Sequence, residues 1–220
     1  MIIGISIALQ ISCTFMLSWI SENYIEIIGA VTGLIYLYFS IRQKIWLWPV
    51  GIVTSAFYIV VFFNNQLYAD MSLNVYYLIV SIYGWYHWLL RKDNTYHDSI
   101  KISQLSVKGW LWYITVAAFL TLVFASILIN IPQKLGLKPS SVPWWDAFLT
   151  AGSVVATWML ARKILEQWLW WIIIDAISTG VFFYKELYFT VGLFVVNTGM
   201  AIIGYIRWKK DLQKQEASVL

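Results

Sequence analysis

The sequence predicts an all-α, polytopic membrane protein with about eight transmembrane helices, and three observations support this fold class. Of the 220 residues, 60% are hydrophobic and only 12% are charged, whereas a soluble domain carries about 25% charged residues. The apolar residues form separate stretches, each close to the roughly 20 residues that a helix needs to cross a bilayer. Most of the basic residues lie between these stretches. The composition excludes a disordered chain, a disulfide-bonded scaffold and an ordinary cytosolic enzyme.

Eight apolar windows define the predicted spans. They lie at residues 2–20, 25–41, 47–63, 71–90, 110–130, 145–161, 168–184 and 188–206. The first window has the length of a signal peptide, but no basic residue precedes it and no small-x-small cleavage site follows it, so we expect a membrane span there. The single cysteine, Cys13, excludes a disulfide framework and a cysteine-based metal site.

The positions of the basic residues predict the orientation of the spans. Twelve of the 15 Lys and Arg residues fall in loops and in the tail on one side, and only Lys134, Lys138 and Lys185 fall on the other. Cytoplasmic loops of membrane proteins carry the excess of Lys and Arg. We therefore expect the C-terminus, and with eight spans the N-terminus, in the cytoplasm. The basic residues do not cluster into a patch for nucleic acid, so no nucleic-acid partner is predicted.

Many of the 14 tryptophans lie close to predicted span ends. Trp side chains are enriched at the interface between membrane and water, and we expect most of these residues to form an interfacial belt. The belt candidates are Trp46, Trp48, Trp85, Trp88, Trp110, Trp112, Trp144, Trp145 and Trp208.

An internal repeat relates the two halves of the chain. A shift of 120 residues aligns Arg42–Trp88 with Arg162–Trp208 without a gap, and 14 of the 47 positions are identical, where roughly four are expected by chance. Each unit has three spans and one span lies between the units, so the repeat is parallel. The predicted parts are an extra N-terminal helix (1–22), a first repeat (24–92), a linking helix (108–131), a second repeat (144–210) and a cytoplasmic tail (211–220). Transporters use such parallel repeats, although scaffolds and membrane enzymes also contain repeats.

Asp175 is the most informative polar residue, because it lies in the middle of the 168–184 span. A carboxylate at the bilayer centre costs about 2.5–3.5 kcal/mol on the insertion scale, and no Lys or Arg lies at a matching depth. Trp168, Trp171 and Asp175 follow i, i+3, i+7 spacing and so share one helix face. Two indoles beside a carboxylate suit a flat cation. The alternative is that Asp175 hydrogen-bonds neighbouring helices and the Trp pair marks a helix interface.

Asn74, Tyr77 and Asn197 are weaker candidates for the same site. Asn74 and Asn197 are polar residues within spans, and Tyr77 occupies the repeat position of Asn197. Interhelical hydrogen bonding explains the two asparagines equally well. The only histidines are His87 and His97, and no Gly-rich phosphate loop occurs. We therefore predict no catalytic residue, no metal site and no cofactor.

Two segments carry a family resemblance: WPVGIVTSAFYIVVFFNNQLYADMSLNVYYLIVSIYGWYHWL and EQWLWWIIIDAISTGVFFYKELYFTVGLFVVNTGMAIIGYIRWKK. They resemble the two repeats of the PnuC family of bacterial vitamin transporters, over about residues 25–211. The most specific element is Trp-x-x-Trp-x-x-x-Asn/Asp, here Trp168, Trp171 and Asp175. The resemblance implies a 3+1+3 fold like that of the SWEET sugar transporters, with a central substrate site. It also implies facilitated diffusion across the inner membrane of an unphosphorylated vitamin, which a cytosolic kinase then traps.

The resemblance leaves two cationic substrates open, nicotinamide riboside and thiamine. The motif ends in Asp175 where Asn is commonest, and Asn74 stands where Gln is frequent. A carboxylate suits either permanently cationic ring, whereas neutral riboflavin fits less well. The predicted site is Trp168 and Trp171 around the ring, Asp175 against its charge, and Asn74, Tyr77 and Asn197 as hydrogen-bond partners. A receptor, a scaffold or a membrane-embedded enzyme is the alternative function, and the oligomeric state, including a homo-oligomer, stays open.

Overall fold

The computed structural model describes residues 24–25, 27–64, 68–90, 101–135 and 140–218. These ranges contain seven helices and no strand: α1 (Ile27–Ile41), α2 (Leu47–Asn64), α3 (Tyr68–Leu90), α4 (Val107–Leu135), α5 (Pro143–Ala161), α6 (Gln167–Tyr184) and α7 (Tyr188–Ala217). The described residues of each predicted window from 25–41 onward are therefore helical. The window at 2–20, and with it the predicted N-terminal helix 1–22, lies outside the described residues.

Three of these helices, α2, α4 and α7, are long and apolar enough to cross a membrane, and α1 is a shorter apolar helix. The all-α fold class is confirmed, while the complete eight-helix, 3+1+3 layout stays a prediction. The last helix runs past its apolar window, through much of the predicted tail, to Ala217. Neither Gly nor Pro interrupts it after Gly204. Leu212 packs into the core, and Gln215 Oε1 accepts a hydrogen bond of 3.1 Å from the backbone N–H of Ile102.

The turns that end α1 and α5 have the same backbone geometry, as the sequence repeat predicts. Gln43 and Lys163 both have a φ of 53°, in the left-handed region that residues other than Gly rarely adopt. The next residues, Lys44 and Ile164, each donate a backbone hydrogen bond to the carbonyl five residues earlier, at 2.9 and 3.0 Å. This is the Schellman pattern of a helix C-terminus, with Gln and Lys at the usual glycine position.

Each repeat also contains a tryptophan packed on a glycine. Trp48 in the first turn of α2 lies against Gly84 of α3, and Trp168 in the first turn of α6 lies against Gly204 of α7. A Cβ on Gly204 would stand 2.7 Å from the Trp168 ring, and a Cβ on Gly84 would be closer still to the Trp48 ring. Only glycine permits such a close approach of helix and indole.

The two repeats are joined by a pair of buried indole hydrogen bonds. Trp88 Nε1–H, at the end of α3, donates to the carbonyl oxygen of Ala161 at 3.0 Å. Trp208 Nε1–H, in α7, donates to the carbonyl oxygen of Ser40 at 3.1 Å. Each tryptophan comes from the third helix of one repeat and reaches the end of the first helix of the other. We call this pair the indole clasp, and the end of the bundle where it lies, with the Gln43 and Lys163 turns, the basic end.

Burial divides the tryptophans that are predicted to form the belt: for an exposed group the belt stays a prediction, and for a buried group it is wrong. The exposed group, as a belt requires, contains Trp46, Trp85, Trp112, Trp144 and Trp145. The prediction is wrong for Trp48, Trp88 and Trp208, which are buried. The Trp48 and Trp88 rings meet edge to face at 5.3 Å between centroids. Close packing between helices, rather than the membrane interface, accounts for these three residues.

Trp88→Phe is expected to lower the free energy of unfolding by about 1–2 kcal/mol, because it leaves the Ala161 carbonyl without its indole donor and creates a small cavity. Denaturant unfolding in detergent measures the change. Trp85→Phe is the matched control, since Trp85 lies less than one turn earlier in α3 and is exposed. Equal losses for the two variants would contradict a structural role for the clasp.

Candidate substrate-binding site

The predicted site is organised around one face of α6. Trp171 and Asp175 stand one helical turn apart on this helix. Asp175 is only 5% exposed, and Trp171 is half-buried and packs against both hydrophobic clusters of the core. The helix begins at Gln167 and continues to Tyr184 without a proline, so these side chains are held on regular backbone. The indole and the carboxylate therefore project from the same face of α6, and their joint role in binding stays a prediction.

No ion pair to Asp175 is found among the residues that the structure describes. Its backbone carbonyl accepts a hydrogen bond of 2.8 Å from the Thr179 hydroxyl, which leaves the carboxylate uninvolved. An ion pair joins Lys185 to Asp146 at 3.3 Å, at the opposite end of the bundle from the clasp. An ionised carboxylate buried without a cation is unfavourable. Asp175 is thus a buried carboxylate for which the described residues supply no compensating cation.

Trp168 has a different environment from Trp171. Its side chain is completely buried, with its ring against Gly204 and edge to face with Trp208 at 5.7 Å. A substrate ring would have to displace one of these neighbours to stack on Trp168. The structure therefore does not bring Trp168 to an accessible surface, and the sandwich of a ring between both indoles stays a prediction.

Trp168 and Trp171 also differ in whether the first repeat has a tryptophan at the corresponding position. Trp168 corresponds to Trp48, which makes the same contact with a glycine in the first repeat. Trp171 corresponds to Gly51, and Asp175 corresponds to Ser55. The feature shared by both repeats is the packing of an indole on a glycine, whereas the indole and carboxylate of the candidate site occur only in the second repeat.

Asn74, Tyr77 and Asn197 are all half-buried, on α3 and α7. The Asn74 amide donates to the carbonyl of Asp70, in its own helix, at 2.9 Å. Tyr77 lies next to Ser153 of α5. No hydrogen bond joins these three side chains to Asp175 within the described ranges, so their membership of the site stays a prediction. Helix α5 packs against both α3 and α6, and α7 packs against α6, which places their helices in one contiguous assembly.

Comparison with known proteins agrees with this architecture. The sequence model of the nicotinamide mononucleotide transporter family matches residues 23–210. The chain belongs to this family. It is 29% identical, over 90% of both chains, to the nicotinamide riboside transporter PnuC of Escherichia coli K12. It is 24% identical, over 89% of both chains, to the riboflavin/roseoflavin transporter RibM of Streptomyces davaonensis.

A solved structure shows the same fold for this family. The crystal structure of the vitamin B3 transporter PnuC superposes with a TM-score of 0.66, at 21% identity, and covers 91% of this chain and 87% of that one. The resemblance to the PnuC family is confirmed. The relatives are named as transporters, which confirms the prediction that the protein is not an enzyme.

Contacts that sequence reasoning missed join α3 to α5 in this family member. The Tyr76 hydroxyl donates a hydrogen bond of 2.7 Å to the carbonyl of Val154. One to two turns nearer the basic end, the Tyr83 ring stacks on Trp158 with centroids 5.0 Å apart and planes inclined by 13°. The aromatic residues of α3 gave no indication of which of them would face the second repeat.

The basic end contains buried charge beneath the clasp. The Lys163 side chain is buried, with Nζ 4.7 Å from the centre of the Trp88 ring. Burial lowers the pKa of the Lys163 ammonium to about 8, and the carboxylate of Asp211 acts in the opposite direction. Gln43, the repeat counterpart of Lys163, donates to Asp211 Oδ2 at 2.9 Å. Asp211 thus interacts with the equivalent turns of both repeats.

The segment before α4 also packs against the basic end. The backbone of Ser103 pairs with the α5–α6 turn, donating to the Lys163 carbonyl at 3.1 Å and accepting from the Leu165 N–H at 2.9 Å. The N–H of Leu105 donates to Glu166 Oε1 at 3.1 Å. This segment therefore holds the start of α6, and with it the helix that carries Trp171 and Asp175.

Proposed function

We propose that the protein carries an unphosphorylated, positively charged vitamin, nicotinamide riboside or thiamine, across the bacterial inner membrane by facilitated diffusion. The observation that carries this proposal is Asp175, a buried carboxylate without an ion-pair partner among the described residues, one turn from a half-buried indole. The family membership supports transport, and the name of the Escherichia coli relative supports nicotinamide riboside as one of the two candidates.

A flat aromatic cation satisfies both groups of this site. The cation offsets the charge of Asp175, and the ring stacks on Trp171 through cation–π attraction. Desolvation strengthens both interactions relative to water. Asn74, Tyr77 and Asn197 supply hydrogen bonds to the remainder of the substrate, and Trp168 stacks on the ring only in a conformation in which its contact with Gly204 opens.

A neutral vitamin is the weaker candidate. One relative is named as a transporter of riboflavin and roseoflavin, so the family is not restricted to cations. A neutral ring leaves the Asp175 carboxylate buried and uncompensated. The carboxylate therefore favours nicotinamide riboside or thiamine over riboflavin.

The transport cycle follows from the repeat. The indole clasp joins the two repeats at the basic end, which the excess of Lys and Arg assigns to the cytoplasm. Release of the substrate to that side requires the clasp to open while the repeats rock against each other, as in other repeat-built transporters. A cytosolic kinase traps the vitamin by adding a charged phosphate. Asp175 is the only acid predicted within the bilayer, so no ion gradient is coupled to transport.

Uptake into vesicles without a kinase is expected to stop when the inside and outside concentrations are equal. Purified protein in liposomes and radiolabelled nicotinamide riboside or thiamine provide the measurement, and calorimetry with the same vitamins and riboflavin identifies the ligand. An imposed proton gradient should leave the final level unchanged. Accumulation above equality would overturn facilitated diffusion, and specific binding without uptake would favour a receptor.

A further inference from the structure

Gln167, the first residue of α6, is the most anomalous polar residue of the described core. Its side chain is 0% exposed, and neither Nε2 nor Oε1 has a hydrogen-bond partner among the described residues. Buried amides are nearly always paired, because an unpaired amide gives up its hydrogen bonds to water without replacement. A fully buried and unpaired glutamine therefore calls for an explanation outside the packing of the fold.

The repeat shows that the fold accepts an apolar residue at this position. The counterpart of Gln167 is Leu47, which is likewise 0% exposed. The backbones match, since the N–H of Leu47 donates to the carbonyl of Lys44 at 3.1 Å and the N–H of Gln167 donates to the carbonyl of Ile164 at 3.3 Å. At this position, only the side chain differs between the two repeats.

Gln167 lies on the same helix face as the candidate site. It precedes Trp171 by four residues and Asp175 by eight, spacings that place all three on one face of α6. The distance along the helix axis is about 6 Å from Gln167 to Trp171 and about 12 Å to Asp175. The amide thus lies on the line from Asp175 to the basic end, where substrate must leave in the proposed cycle.

We propose that Gln167 is a specificity-determining residue that binds hydroxyl or amide groups of the substrate as the basic end opens. The inference rests on the proposed transport of a cationic vitamin and adds a second polar contact to it. The carboxamide supplies two donors and one acceptor, which match hydroxyl, amide or amino substituents on a ring system. The neighbouring Glu166 differs, because its Oε1 accepts the Leu105 N–H and so holds the segment before α4, and only its Oε2 is without a partner among the described residues.

Gln167→Met and Gln167→Leu test this inference. Methionine keeps the length of the side chain, and leucine reproduces the residue of the first repeat. Both are expected to raise the unfolding midpoint of the ligand-free protein, since they remove an unpaired buried amide. Both should weaken binding of the vitamin that the wild type binds by about tenfold and slow its uptake, while binding of N-methylpyridinium, which is flat and cationic but lacks such substituents, stays unchanged.

The outcomes separate this inference from the proposed function. Unchanged vitamin affinity and uptake in both variants would overturn the role of Gln167 and leave transport intact. A lower unfolding midpoint would assign Gln167 a structural hydrogen bond and also overturn the role. Equal weakening for N-methylpyridinium would indicate a general disturbance of α6. Failure of the wild type to bind any of the vitamins would instead contradict the proposed function. Leu47→Met is the matched control, with no expected change in ligand selectivity.

Discussion

Asp175→Ala is expected to weaken binding of the cationic vitamin by about 100-fold, the largest effect on function that the structure predicts. Removing one partner of a buried, hydrogen-bonded charge pair costs about 2–5 kcal/mol, and 100-fold corresponds to about 2.7 kcal/mol. The carboxylate is buried and has no ion pair among the described residues, so no nearby protein cation is available to compensate or to be released. Calorimetry on the purified protein measures the loss directly.

Two further variants define the cause of this loss. Asp175→Asn keeps the shape of the side chain and removes its charge, and we expect it to weaken binding of the cation nearly as much. Without ligand, the same change should leave stability equal or higher, because an uncompensated buried charge disappears. Asp70→Asn is the matched control, since Asp70 is exposed in the first turn of α3. Unchanged affinity of Asp175→Ala for nicotinamide riboside and thiamine would contradict the assignment of Asp175 to the substrate site.

Hydropathy was sufficient to locate the described helices, but not to define their ends. The window at 47–63 differs from α2 by a single residue, because polar turns bound it on both sides. The window at 188–206 falls short of α7 by eleven residues. Beyond the window the helix continues as a mainly polar segment, in which Leu212 packs into the core and Gln215 accepts a hydrogen bond. Hydropathy registers the lipid-facing part of a helix and does not register its extension into water.

The sequence did not predict which tryptophans near span ends are exposed and which are buried. Trp46 and Trp48 are two residues apart, yet Trp46 is exposed and Trp48 is buried against Gly84. A residue at the end of a span satisfies the belt pattern on either face of its helix. Whether that face meets lipid or another helix depends on tertiary contacts between residues that are distant in sequence, here 36 positions apart.

Part of the candidate site could be predicted by comparing the sequences of the two repeats. Asp175 and Trp171 stand where the first repeat has Ser55 and Gly51, and they combine this departure with a carboxylate and an indole on one helix face. Gln167 departs from Leu47 in the same way, but the sequence alone does not distinguish it, because a glutamine near a span end is ordinary until its burial and its unpaired amide are known. Because 33 of the 47 aligned positions differ between the repeats, a departure indicates a candidate for binding only together with a polar side chain and burial that packing does not require.

Gly204→Ala and Gly84→Ala are expected to be the most destabilising single-methyl changes in the described helices, each by about 2–3 kcal/mol. The added Cβ at Gly204 would stand 2.7 Å from three atoms of the Trp168 ring, well inside van der Waals contact. The ring has little freedom to retreat, because it is fully buried and meets Trp208 edge to face. Denaturant unfolding in detergent, with Gly192→Ala and Gly199→Ala in α7 as controls, measures the effect.

The control variants show whether the contact with the indole, rather than the loss of a glycine, lowers the stability. A Cβ at Gly192 or Gly199 has no neighbour within 4 Å, and alanine is favoured over glycine within a helix by about 1 kcal/mol, so these variants should be neutral or more stable. The two packed glycines gain the same helix propensity, and only the clash with the indole opposes it. Because Gly84 and Gly204 belong to different repeats, their losses should add. If both changes are as harmless as the controls, the helices can separate at little cost, and the tryptophan–glycine contacts do not hold the helices of each repeat together.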